Sequence, residues 1–407
     1  MNNSREPDEK LRLGVAGLGV ASTLFLPGVE KSPHTRIVAA ADRRAGAVEA
    51  FAKKYNARGY DSVESLCRDP DVDVIWVATP NQFHCEHTIM VAEAGKHVIC
   101  TKPMALSVAE CERMCDAADR NGVKLLCGQT YSMSPDIQAL WKVAKSGELG
   151  RLIAVNIWLY TDWLLKPRVA EEVDEALGGG VVFRHAPHLI DTIRLLGGGK
   201  LRSVRASAGR WMKERPCPGN FSAYMEFEDG TPATIVYNGY GYFDTSELTW
   251  GIGNRMYSDA ERVPVRRALR AGAVDHETAK EGMRFGAQAA DATSQGSGLR
   301  TLTGQGRVGW FGVTVASFER GDIRQSPDGI YVYGDEGRRE IPVHGGRGTG
   351  TLEMKEMWEA LYEGKPILHD GRWAMATLEV GSAIVQSGEE RREIMLARQC
   401  APPEGVH

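Results

Sequence analysis

From Leu11 the chain alternates short apolar runs with amphipathic stretches: LRLGVAGLG, RIVAAAD, VDVIWVATP, KHVICTKP and VKLLCGQ are each followed by a helix-like segment. Runs this short and this apolar suit strands covered on both faces, and parallel strands need a crossover between them. The pattern predicts repeated βαβ units and a parallel sheet, an α/β domain over 11–129.

After a helix-like segment around Ile137 to Lys145 the texture changes to longer runs rich in β-branched and aromatic residues: LIAVNIWLYTDW, LRSVRASAGRWM, FSAYMEFEDG and TPATIVYNGYGYF. These predict strands of a mostly antiparallel sheet joined by turns such as Glu228-Asp229-Gly230, hence a second, α+β domain over 130–400. Between about 244 and 309 the β pattern lapses into an arginine-rich, helix-capable stretch and then the glycine-rich DATSQGSGLRTLTGQGR, which reads as an insertion serving as a lid or a subunit arm. Strand patterns resume at GWFGVTVASF and GIYVYGDEG, and amphipathic segments at Leu352–Tyr362 and Ala374–Ser387 close the chain.

Bulk properties narrow the partners. With 407 residues, 43% hydrophobic and 25% charged, the chain has globular composition and room for two or three domains. A net charge of -4 supplies no positive field for a phosphate backbone, which argues against nucleic acid and for a small molecule. No stretch approaches the roughly 20 apolar residues that span a bilayer. Residues 1–10 read as a polar, disordered leader, so a cytoplasmic location is expected. The eight cysteines are scattered without a C-x-x-C pair, and reduced thiols are the expectation.

The first strand runs into Gly17-Leu18-Gly19-Val20-Ala21-Ser22, two glycines of a dinucleotide fingerprint with a small serine at the third position. Missing side chains at Gly17 and Gly19 let backbone N–H groups at the start of a helix approach a pyrophosphate. The second strand ends at Asp42, 23 residues after Gly19, where a carboxylate accepts hydrogen bonds from ribose hydroxyls. That favours NAD. Arg43 and Arg44 follow and suit adenine stacking or a 2′-phosphate, so NADP stays open.

With VDVIWVATPNQFH, AGKHVICTKPMALS and GGGVVFRHAPHLIDTIRLLGG in this order, the chain resembles the Gfo/Idh/MocA family, named for glucose-fructose oxidoreductase and inositol dehydrogenase. The resemblance implies a Rossmann domain followed by a large open sheet commonly used for oligomerisation, here as a dimer or tetramer. It also places Thr79, Asn81 and His84 near the cofactor. The family's Glu-Lys-Pro reads Thr101-Lys102-Pro103 here, with a cis bond before Pro103 left open. By resemblance Lys102 lies at the nicotinamide and the reacting hydroxyl, where its ammonium stabilises a developing alkoxide. His188 keeps the family's acid/base position and takes the alcohol proton as hydride leaves carbon. Asp191 falls on the next helical turn, where it either orients that ring or binds substrate.

Where the family usually has an aspartate, this chain has Arg184. A planar guanidinium matches a carboxylate through paired hydrogen bonds, so an anionic substrate bearing at least one carboxylate is inferred. His185 and His188 form an H-x-x-H spacing with no further ligand cluster, so no metal is expected. Trp163, Trp211, Tyr240, Arg205, Arg210 and Lys213 suit a flat anionic ring, with Trp163 and Arg210 the candidates for direct contact. GVAGLGVASTLFLP and GWFGVTVASFERGDIRQSPDGIYVYGDEG further resemble one branch of the family, the phthalate 4,5-cis-dihydrodiol dehydrogenases. The expected activity is NAD(P)-dependent oxidation of a carboxylated cyclic cis-dihydrodiol. A sugar or inositol dehydrogenase, and a non-catalytic NAD(P)-binding regulator, are the alternatives.

Overall fold

The computed structural model describes residues 10–128, 131–252, 257–287, 311–344 and 348–405. Among these, the first domain holds six parallel strands: β1 (Leu11–Ala16), β2 (Thr35–Ala41), β3 (Arg58–Tyr60), β4 (Val74–Val77), β5 (His97–Thr101) and β6 (Leu125–Gly128), ordered β3-β2-β1-β4-β5-β6. β1 lies between β2 and β4, so the strand order reverses there and a crevice opens beyond the carboxyl ends of the strands. Five of the six strands coincide with apolar runs. The short edge strand β3, Arg58-Gly59-Tyr60, carries no such signal because it is not covered on both faces. Local chemistry sets helix starts: Ser107 and Glu110 form a reciprocal capping box on helix Val108–Arg120.

The second sheet has nine strands among the described residues: β7 (Leu152–Tyr160), β8 (Leu201–Gly209), β9 (Asn220–Phe227), β10 (Pro232–Asn238), β11 (Val313–Phe318), β12 (Gly321–Gln325), β13 (Gly329–Gly334), β14 (Gly337–Pro342) and β15 (Ile394–Met395). Their order is β14-β13-β12-β11-β7-β10-β9-β8-β15, antiparallel throughout except where β10 pairs with β7. Helices Pro135–Ser146, Ala186–Leu196 and Gly371–Glu390 cover one face. Val155, Ile157 and Leu159 of β7 point into that core, whereas Trp158 is 52% exposed and Tyr224 of β9 is 45% exposed. The far face of the sheet is open.

The chain's end is shared between the domains, unlike the 130–400 unit expected from sequence. Helix Thr351–Tyr362 packs on α1 (Val20–Val29), and Thr351 Oγ1 donates to Gly28 O at 2.7 Å. A Cβ at Gly350 would lie 2.2 Å from Phe25 O, so glycine permits the contact. In helix Gly371–Glu390, Met375 and Leu378 join the first core and Val380 and Ile384 the second. Amphipathicity marks these segments as helices but does not say which core receives the apolar face. The insertion's described part, with helices Asp259–Arg270 and His276–Glu281, also spans the domains, for Phe285 packs 5.5 Å from Phe51 while Lys280 bonds Glu172. Its glycine-rich stretch, 291–307, and leader residues 1–9 lie outside the described residues. No described helix is long and apolar enough to cross a membrane.

Candidate active site

The turn after β1 is held against β4. Gly17 has φ +95°, and a Cβ there would sit 2.7 Å from Ala78 O. Gly19 precedes α1, a Cβ on it would meet nothing within 4 Å, and Val20 opens the helix. The approach to the start of α1 at Gly19 is therefore unobstructed, which a pyrophosphate fits. Ser22 is buried and its Oγ donates to Gly19 O at 2.7 Å, so the serine at the third fingerprint position closes the turn. Asp42, just past β2, accepts from Leu18 N at 2.7 Å and from Arg44 N at 2.9 Å and Nε at 3.1 Å. Arg44 is thus a brace for this carboxylate, and Arg43 is exposed. Replacing Gly17 with alanine is expected to cost more than about 1 kcal/mol of stability, because both the positive φ and the backbone contact oppose a Cβ. Dinucleotide affinity, followed by protein fluorescence quenching, is expected to fall with it.

After β4, Thr79 Oγ1 lies 3.0 Å from His87 Nδ1, and Asn81 is buried with Nδ2 unpartnered among the described residues. His84 is buried with Nδ1 2.9 Å from Pro103 O and Nε2 2.8 Å from Thr79 O. Both ring nitrogens are used by backbone, so the expected cofactor residue is instead a clamp between two loops that border the crevice. The Lys102–Pro103 bond is cis. Thr101 explains the missing family acid: it is buried, and its hydroxyl accepts from Trp76 Nε1 at 3.1 Å in the core between the strands and α1. An indole N–H there needs an acceptor, and a carboxylate would be costly.

Lys102 follows β5 and donates from Nζ to Arg184 O at 2.6 Å. Burial, and the charges of Arg184 and Arg168, push its ammonium down to about 7, so it is readily deprotonated near neutral pH. His188 stands in helix Ala186–Leu196 with its ring 4.7 Å from Tyr131 and 5.0 Å from Phe311. Burial in this aromatic setting pushes the imidazole well below its usual range, which keeps it neutral and able to accept a proton. Lys102 and His188 are coupled through charge.

Asp191 does not orient His188, contrary to the sequence expectation. It is buried and accepts from Ser132 Oγ and Trp373 Nε1. Ser132 Oγ also lies 2.8 Å from His369 Nε2, whose Nδ1 is 2.9 Å from Glu356 Oε2. Asp191 thus anchors the shared C-terminal helix, a task that satisfies both of its oxygens. Trp163 is likewise a support, 2% exposed, with the Arg168 guanidinium 4.1 Å over its ring. Arg210 is spent on Glu175, at 2.8 Å from Nε, with Glu389 3.8 Å away. Arg205 bonds Ser387, Lys213 is exposed, and Trp211 is 75% exposed and stacked on Tyr240.

Arg184 differs from these cations. It ends helix Gly180–Arg184, forms no ion pair among the described residues, and its Nε is buried without a hydrogen-bond partner. The nearby acid, Glu172, is taken by Lys280 at 2.8 Å and Arg168 at 3.4 Å. Burial resists ionisation of Glu172, yet those cations outweigh it and hold the carboxyl down at about 2. Burial and Arg168 pull in the opposite sense on Arg184, lowering its guanidinium from the usual value despite Glu172. Arg168 stands four positions before Glu172, whereas Lys280 comes from the insertion, 108 positions away, so only the fold brings it to this pair.

Residues 11–129 match the family described as "Oxidoreductase family, NAD-binding Rossmann fold", and 137–249 match the GFO/IDH/MocA C-terminal domain. A Comamonas testosteroni 1-carboxy-3-chloro-3,4-dihydroxycyclohexa-1,5-diene dehydrogenase is 33% identical over 393 residues, 93% of this chain and 95% of its own. This chain belongs to the Gfo/Idh/MocA family of oxidoreductases. A solved structure of a putative dehydrogenase from Bordetella bronchiseptica RB50 is 35% identical with a TM-score of 0.86, covering 95% of this chain and all of the other. At 18% identity, the WlbA dehydrogenase of Bordetella pertussis, solved with NADH and UDP-GlcNAcA, shares the fold with a TM-score of 0.69 over 96% of this chain and 99% of its own. As a member of this family the chain is an NAD-binding dehydrogenase, and the glycine turn, Asp42 and the open start of α1 fit that cofactor.

Proposed function

We propose that the protein oxidises a ring hydroxyl of a carboxylated cyclic substrate, an aromatic cis-dihydrodiol carboxylate of the phthalate 4,5-cis-dihydrodiol type, to the dihydroxy aromatic acid. The observation that carries this reading is Arg184, a half-buried guanidinium whose Nε has no hydrogen-bond partner and which forms no ion pair among the described residues, and whose charge reaches Lys102. An unpaired buried cation is costly, and a substrate carboxylate removes that cost on binding. The name of the Comamonas relative, a carboxylated dihydroxycyclohexadiene dehydrogenase, supports the same class.

In this reading Gly17, Gly19, Val20, Ser22 and Asp42 hold the dinucleotide, with Thr79 and Asn81 on the facing loop. When bound, the nicotinamide supplies the hydride acceptor. Arg184 fixes the carboxylate, and Lys102, in the protonated form that burial leaves only partly populated near pH 7, holds the reacting oxygen and stabilises negative charge there. His188, kept neutral by burial, accepts the hydroxyl proton. The hydroxy-enone that leaves tautomerises to a catechol, and aromaticity draws the oxidation forward. We infer further that copies associate through the sheet face that carries Trp158 and Tyr224, as a dimer or tetramer.

Absorbance of the reduced nicotinamide tests the reading, with NAD or NADP offered against carboxylated cis-dihydrodiols, inositols and aldoses. Reduction with the dihydrodiols, and preferentially of NAD, is the expected result. Turnover of polyols alone would replace it with a sugar-type dehydrogenase.

A further inference from the structure

His188 Nδ1 and Asp136 Oδ1 are both buried, neither has a hydrogen-bond partner among the described residues, and both side chains line one cavity of about 10 Å³. Tyr131, Thr192, Thr314 and Gln325 complete its polar wall. Leaving one buried polar atom unsatisfied costs on the order of 1–3 kcal/mol, so two residues with such atoms lining one void argue for a shared occupant. A void of this size is near the smallest that holds a single water, which needs two to four polar partners. Asp136 sits in the first turn of helix Pro135–Ser146, 2% exposed, where Ser134 and the first backbone amides engage its carboxyl. A helix start alone accounts for those bonds, but not for the unpartnered Oδ1 of a residue that lines the same cavity as His188.

We propose that Asp136 is the positioning residue of His188, linked to Nδ1 by one water in this cavity, so that the proton resides on Nδ1 and Nε2 is left as the base. This rests on His188 being the base of the proposed reaction. As the substrate O–H bond breaks, its proton bonds to Nε2, and the carbon that bears this oxygen becomes a carbonyl by giving up its hydrogen as hydride, for which a bound nicotinamide would be the acceptor. The resulting imidazolium faces the Asp136 carboxylate across the water until the proton passes to solvent. Arg184 brings a cation where the family usually has an aspartate, and Asp191 is held by Ser132 and Trp373, so neither supplies this carboxylate. The other groups facing the ring are Tyr131, Phe311, His185 and the Lys102 charge, which opposes protonation. Burial pushes the Asp136 carboxyl up to about 6, so its anion fades as pH falls through that value.

The test is Asp136→Asn, which keeps the shape of the side chain. Expected are a tenfold to hundredfold lower kcat, KM within threefold, and loss of the acid limb of kcat near pH 6. An unchanged kcat and limb, with only a lower Tm, would overturn the proposal and leave a helix-start residue. Should the variant fail to fold, histidine-15N spectra of the wild-type protein decide instead, with His188 assigned through His188→Gln. The Nδ1–H tautomer supports the water link, and the Nε2–H tautomer overturns it. That spectrum needs no turnover, so it can fail independently of the assigned substrate, while an active His188→Gln would remove the base reading itself.

Discussion

Replacing His188 with glutamine is expected to lower kcat by about 10²–10⁴-fold, the usual worth of a positioned general base, with KM and dinucleotide affinity nearly unchanged. The ring packs against Tyr131, Phe311 and His185, glutamine fills a similar volume, and Nδ1 makes no bond within the described protein, so no hydrogen bond to that nitrogen is lost. Tm is expected to move by only a few degrees. The contrast between a large rate effect and a small stability effect separates a base from a core histidine. Steady-state kinetics and a thermal melt on the same preparation measure both, and a kcat within threefold of wild type would end the role assigned to His188.

The second large effect is at Arg184. A charge-assisted hydrogen bond is worth roughly 1.5–3 kcal/mol, about tenfold to 150-fold in binding, and a bidentate pair more. Arg184→Gln is therefore expected to reduce kcat/KM for a carboxylated cis-dihydrodiol tenfold to hundredfold. Arg184→Asp, which adds repulsion, is expected to exceed a hundredfold while leaving a neutral diol much less affected. Stability is expected to go the other way. Because burial lowers the Arg184 guanidinium below its unfolded value, the charged side chain costs stability at neutral pH, and Arg184→Gln is expected to melt no lower than wild type. Equal losses on carboxylated and neutral diols would show that Arg184 does not read a carboxylate.

The residues proposed to do chemistry divided unevenly between chain and fold. Gly17, Gly19 and Asp42 were legible because a phosphate-binding turn demands special backbone and fixed spacing. Lys102, His188 and Arg184 were legible through the resemblance, and the departure at Arg184 was the informative part of it. Aromatics and arginines selected by type alone fared differently: Trp163 became a platform for Arg168, and Arg210 was neutralised by Glu175. Residue type says what a side chain is able to bind, not which neighbour reaches it first.

The sequence by itself determined the parallel sheet, the second mostly antiparallel sheet and the nucleotide-binding turn, since each rests on local periodicity or on residues close along the chain. Only the tertiary structure decided that Asp191 turns to Ser132 and Trp373, that Arg168 and Lys280 claim Glu172, and that Asp136 shares a cavity with His188. Apart from Arg168, which stands four positions before Glu172, these residues lie 52 to 182 positions apart, brought together by how apolar faces pack, and no local pattern encodes them.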